Sequence, residues 1–213
     1  MTIKHHGLVI LGLGFAVLAL AAHSQGRPAE KKAAGREPVI WKQEPTSFIG
    51  ITLDQPLTAS AKECPRELAS ELCIHRRYDP IEVCCVGIEP FRSVANVRTS
   101  DSTPEGRVGL IELEFESRGF ARVADILIVK YGKPHKREVG KVRTKGGAEF
   151  ESVELSWVGA RVRIVATSLS SRYYSELERR LVERGSVEVW TASYARQEAA
   201  KANEAARKGA GKL

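Results

Sequence analysis

The side chains here whose types could do chemistry are four cysteines, a few histidines and one run of glutamates, and their spacing decides what that chemistry is. Cys64, Cys73, Cys84 and Cys85 fall within one short window. A zinc site read from sequence needs close ligand pairs such as Cys-x2-Cys with a second pair or histidines. The pattern Cys-x8-Cys-x10-Cys-Cys lacks that spacing, so the cysteines read as disulfide partners and no metal or cofactor is expected.

Histidine chemistry is equally thin. His5, His6 and His23 lie near the N-terminus, which leaves His75 beside Arg76-Arg77 and His135 in the basic stretch Lys133-Pro134-His135-Lys136-Arg137. A general base needs an orienting partner, and the sequence identifies none for either. No Gly-x-Ser-x-Gly or Ser-x-x-Lys motif marks a serine nucleophile. The run Gly12-Leu13-Gly14 is part of an apolar N-terminal segment, not a phosphate loop. Glu112, Glu114 and Glu116 alternate with Ile111, Leu113 and Phe115, which describes a half-buried strand with an acidic exposed face. Nothing in the sequence supplies the burial that would shift one of these carboxylates.

The elements that position these residues begin with an address. Lys4, the apolar run Leu8 to Ala22 and the small-residue stretch Ala22-His23-Ser24 have the order of a cleavable signal peptide over residues 1–24. The apolar run is shorter than the roughly 20 residues of a membrane span, and no cysteine stands near the cleavage site to carry a lipid. The expected product is a periplasmic or secreted protein with no transmembrane segment after cleavage. Such a compartment favours disulfides and disfavours a thiol nucleophile.

Residues 25–37 carry no large apolar side chain and read as a linker. The formal net charge of +7 lies mostly in this linker and in the tail 195–213. The intervening segment 38–194 is nearly balanced, which argues against nucleic acid, since a binder concentrates basic charge on its folded face. The one basic stretch within it contains Lys133, Lys136, Arg137, Lys141, Arg143 and Lys145, a candidate for an anionic surface but more simply a solvated loop.

Segment 38–194 is long enough for a single domain. Trp41 and the run Phe48 to Leu53 open it. Cys64-Pro65-Arg66-Glu67 reads as a helix start, with Leu68, Leu72 and Cys73 on one face. A helix would hold Cys64 and Cys73 about 13 Å apart, beyond the roughly 7 Å that a bridge tolerates, so each is expected to pair with Cys84 or Cys85. Those two, as strand neighbours in Ile81 to Val86, should point to opposite faces. Strands follow at Val94 to Thr99 and Val108 to Phe115, then a helix over Ser117 to Tyr131 that Ser117 caps and Gly132-Lys133-Pro134 ends. Val153, Leu155 and Trp157 alternate into a hairpin with Val162, Ile164 and Ala166. Tyr173, Leu177 and Leu181, with a capping-box pattern at Ser175 to Glu178, predict a helix over 172–184. Val187 and Val189 alternate with Glu188 and Trp190 in a last strand, and 195–213 is a charged, Ala-rich helical or disordered tail.

The expected fold class is α+β, a two-layer, mostly antiparallel sheet with helices packed against it. The order of elements suggests two tandem helix-plus-three-strand repeats, 48–116 and 117–194. Phe48-Ile49-Gly50-Ile51-Thr52-Leu53-Asp54-Gln55-Pro56-Leu57, Cys64-Pro65 and Lys130-Tyr131-Gly132-Lys133-Pro134, followed by the strand bearing Trp157, resemble small exported proteobacterial proteins of uncharacterised function. More distantly, the helix, Gly-x-Pro stop and Trp-bearing strand look like the repeat of the beta-lactamase inhibitor protein and of small outer-membrane assembly lipoproteins. The resemblance implies a binding or scaffold role for a sheet face. The expected function is therefore a non-catalytic domain that holds an envelope protein, with Trp157 and Trp190 as partner contacts. The alternatives are an envelope-polymer hydrolase with a cryptic site, and an inhibitor or immunity-type protein.

Overall fold

A computed structural model of the chain describes residues 41–65, 70–77, 79–143, 147–175 and 179–210. The expected signal peptide and linker lie outside them. Short strands β1 (Ser47–Phe48) and β2 (Ile51–Thr52) form a small hairpin. The main sheet is built from β3 (Lys62–Glu63), β4 (Cys73–Arg76), β5 (Ile81–Cys84), β6 (Phe91–Thr99), β7 (Val108–Glu116), β8 (Lys136–Arg143), β9 (Glu149–Val158), β10 (Val162–Ser175) and β11 (Arg180–Thr191). Its nine strands run in the order β3-β4-β5-β6-β7-β11-β10-β9-β8. Every pairing is antiparallel except β3 with β4. Two helices, α1 (Phe120–Tyr131) and α2 (Ala192–Ala210), pack against it, which is the expected α+β class.

The period-two alternation explains the sheet's one-sided core. Ile111, Leu113 and Phe115 of β7 are fully buried, as are Trp157, Ile164, Ala166, Val187 and Val189 on the neighbouring strands. Each large side chain so buried contributes about 1.5–3 kcal/mol. Val123, Leu127 and Tyr131 of α1 close over this face, joined by Trp41, Phe48, Ile51 and Leu57 from segment 41–61. That segment is tied down along its length. Trp41 Nε1 donates to the Tyr131 carbonyl at 2.9 Å, the Asp54 N–H donates to the Val108 carbonyl at 3.0 Å, and that of Thr58 to Pro104 at 3.1 Å.

Helix α1 stops where expected: Gly132, at φ 81°, donates its N–H to Ile128. A left-handed residue at that point favours glycine. Ser117 does not cap the helix, because it sits in a 3-10 turn and its hydroxyl donates to the Ser168 carbonyl at 2.7 Å.

Four expectations need correction. The helix over 172–184 is instead a hairpin, in which Tyr173 faces Val182 and Arg172 faces Glu183 across β10 and β11. The spacing of Tyr173 and Leu181 suited a helix, but both side chains are about half exposed, so no buried stripe existed to hold one; Leu177 lies outside the described residues. Nor is Cys73 helical: it opens β4 beside the parallel β3. The basic stretch from Lys136 to Arg143 is an edge strand paired with β9, not a loop, and charged side chains suit an exposed sheet edge. Finally, the two halves supply more than three strands each to the main sheet, β3 to β7 from the first and β8 to β11 from the second, and they meet where β7 pairs with β11.

Candidate interaction surface

With the main core on one face, the other face of the sheet carries most of the polar half of the alternating strands, together with the buried Leu110 and Val165. Strand register lines up a row across it: Glu82 opposite Asn96, Asn96 opposite Glu112, and Glu112 opposite Glu188. Arg92 pairs with Glu114 at 3.2 Å, and Arg76 with Glu82 at 2.9 Å. Glu82, Arg92, Val94, Asn96, Glu112 and Glu114 line an open groove of about 330 Å³. Burial of the Glu112 carboxyl, then the like charges of Glu188 and Glu114, raise its pKa, and Arg98 offsets this in part. The acidic face of β7 is thus less solvated than its alternation implied.

Trp190 stands beside this row, two residues along β11 from Glu188 and opposite Leu110. It is half-buried, its Nε1 donates to Glu188 Oε2 at 2.9 Å, and its ring lies 6.0 Å from that of Tyr194 at the start of α2. Beside it, Gly159, Val162, Arg163, Ala195 and Arg196 help line a second hollow of about 450 Å³. Tyr194 packs against β7 because Gly109 has no side chain; a Cβ would lie 2.2 Å from the ring.

Trp157 does not join Trp190. It is fully buried on the core face, and its Nε1 donates to the Gly132 carbonyl at 2.8 Å, which removes it as a partner contact. The distinction was present in the alternation: Trp157 has the parity of Val153 and Leu155, whereas Trp190 has the parity of Glu188.

The other candidates are dispersed. His135 accepts the Val158 N–H on Nδ1 at 2.8 Å and sets its ring edge-on to Trp41, 5.7 Å away. His75 is exposed with Nδ1 3.6 Å from Glu82. Strand β8 sends Arg137, Lys141 and Arg143 to one side and Lys136 to the other, with Lys136 paired to Glu138 at 2.6 Å and Lys141 to Glu149 at 3.0 Å. Lys133 is exposed before the strand, and Lys145 lies outside the described residues. The described basic side chains of β8 are therefore divided between its two sides.

The cysteines gather at the opposite end of the sheet, with a pairing the sequence argument rejected. Cys64 and Cys73 are disulfide-bonded, their Cα atoms 4.9 Å apart, because β3 and β4 run side by side and Cys73 lies in a strand. Cys84, opposite Cys73 across β5, and Cys85 remain as thiols. Cys85 leaves the strand at φ 67°, so the two neighbours do not alternate as strand residues. Burial, and the Cys85 thiol beside it, push the Cys84 thiol up to about 11.

Asn96, Arg98 and Glu188 complete the environment of Glu112 and escaped the sequence reading. They reach it through strand pairings that no local pattern encodes. Among the described residues no helix is long and apolar enough to cross a membrane. No protein family, curated protein or solved structure matches the chain.

Proposed function

We propose that the chain is an exported, non-catalytic binding protein of the cell envelope that holds a protein partner on the open face of its sheet. The N-terminal segment 1–24, with its signal-peptide order, supports the export. The observation that carries the binding role is the Glu112–Glu188 pair on the polar face of the sheet, with Trp190 hydrogen-bonded to Glu188. Like charges directly opposite on adjacent strands are destabilising. A lysine or arginine presented by a partner relieves that repulsion, while the face of Trp190 supplies the apolar contact typical of interface hot spots. The partner is accordingly a protein with a basic segment.

Affinity capture from an envelope extract, followed by binding measurements on the recovered protein, tests this. Trp190→Ala should weaken binding by at least 10-fold, a typical hot-spot loss. Glu188→Gln should weaken it and reduce its salt dependence. Binding unaffected by both substitutions would overturn the proposal.

A further inference from the structure

The cysteine cluster holds more sulfur than its disulfide uses. Cys84 Sγ lies 3.6 Å from Cys64 Sγ and 3.3 Å from Cys73 Sγ. One ligand atom from each of the three falls within 4.8 Å of the others. In a tetrahedral zinc site with Zn–S bonds of about 2.3 Å, neighbouring sulfurs stand about 3.8 Å apart. Cys84 is thus already near ligand spacing from both disulfide sulfurs, and only the bonded pair would have to separate.

We propose that Cys64, Cys73 and Cys84, supported by the neighbouring thiol of Cys85, form a thiolate site for a closed-shell thiophilic cation, zinc being the type case, when the Cys64–Cys73 bond is reduced. The three primary ligands come from the end of β3, the start of β4 and the end of β5, adjacent strands whose ladders fix their separations. This is why the sequence spacing did not betray the site: close Cys-x2-Cys pairs are needed when ligands come from one tight turn, and not when three strands bring them together. Cys85 turns out of β5 directly after Cys84 and places its thiol beside that of its neighbour.

Disulfide and metal exclude one another. A dithiol reductant transfers two electrons and two protons to the Cys64–Cys73 bond, giving two thiols and its own disulfide. Each thiol that then ligates releases one proton. An oxidising compartment holds the bridge, and reduction opens the metal site.

The test uses the full chain, reduced with a phosphine under anaerobic conditions, freed of reductant and titrated with Co²⁺ and then Zn²⁺. One equivalent of Co²⁺ should give sulfur-to-cobalt charge-transfer absorption that Zn²⁺ abolishes, and the oxidised protein should give none. Cys84→Ser should weaken Zn²⁺ binding more than ~100-fold, beyond the loss caused by removing a mere supporting group; Cys85→Ser should weaken it by about 10-fold. Where the serine variants do not fold, alkylation of the reduced wild type is read by intact mass, and zinc should protect at least three thiols. Absence of the charge-transfer band, full alkylation in excess zinc, or wild-type affinity in Cys84→Ser would each overturn the site. Unchanged affinity in Cys85→Ser removes Cys85 from it.

Discussion

Glu112 and Glu188 face each other across the β7–β11 ladder, two carboxylates in one cross-strand pair on the open side of the sheet. The pKa of Glu112 is raised, first by burial and then by Glu188 and Glu114. A raised carboxyl pKa means that the folded state prefers the protonated form. The stabilisation from that preference is fully present below the unfolded-state pKa and is lost as pH rises through the folded one. Glu112→Gln should therefore melt above wild type at pH 7. The gap should close as pH falls below the ordinary glutamate value of 4.5. Thermal melts of both proteins from pH 7 to pH 4 check this, and a gap that is constant with pH sinks the electrostatic explanation.

The two tryptophans should separate cleanly in stability measurements. Trp157 is fully buried and hydrogen-bonded to the Gly132 carbonyl, so Trp157→Ala should cost about 3–5 kcal/mol. Trp190 is half-buried on the open face, and Trp190→Ala should cost about 1 kcal/mol, the centre of the range for point substitutions. Denaturant titrations give both values.

Docking of α2 depends on a missing side chain. A Cβ at Gly109 would stand 2.2 Å from the Tyr194 ring and 2.5 Å from the Tyr194 Cβ, so rotating the ring alone does not clear it. Gly109→Ala should destabilise by about 1–3 kcal/mol and loosen the first turn of α2, seen as faster amide exchange there. In a double-mutant cycle, Gly109→Ala should cost much less when Tyr194 is already alanine.

Segment 41–61 is clasped at its start by one carboxylate. Glu44 Oε1 accepts the N–H groups of Arg161 and Val162, at 2.5 and 2.7 Å, in the turn between β9 and β10. Glu44→Ala leaves two backbone donors without their acceptor and should cost about 1–3 kcal/mol. Glu44→Gln keeps one side-chain oxygen and should lose about half as much. Equal losses in the two variants would mean that packing, not hydrogen bonding, holds the turn.

What could be read from the sequence follows the range over which each signal acts. Ile111, Leu113 and Phe115 alternate strongly enough to define β7 unaided, and the apolar period of α1 with its Gly132 stop is complete within one short stretch. The segment around Tyr173 and Leu181 is different, because spacings of four suit a helix and also one side of a strand; pairing with Val182 and Glu183 decided it. The pairing of Cys64 with Cys73 is hidden for the same reason, because the local pattern suits a helix while Cys73 lies in a strand beside β3. The surroundings of Glu112 depend on Asn96 and Glu188, and only the sheet order brings those three together.

Segment 41–61 also has a consequence for how the protein is made. It is the earliest described stretch to be synthesised, yet its anchors are Pro104, Val108, Tyr131 and the turn at Arg161–Val162. No shorter nascent fragment holds a complete seat for it, and Trp41, Phe48, Ile51 and Leu57 stay uncovered until most of the chain exists. Closing so large a loop is slow for entropic reasons. Until those contacts close, the apolar side chains of this segment have no seat on the sheet, and uncovered apolar surface of that kind is what aggregation and chaperones act on.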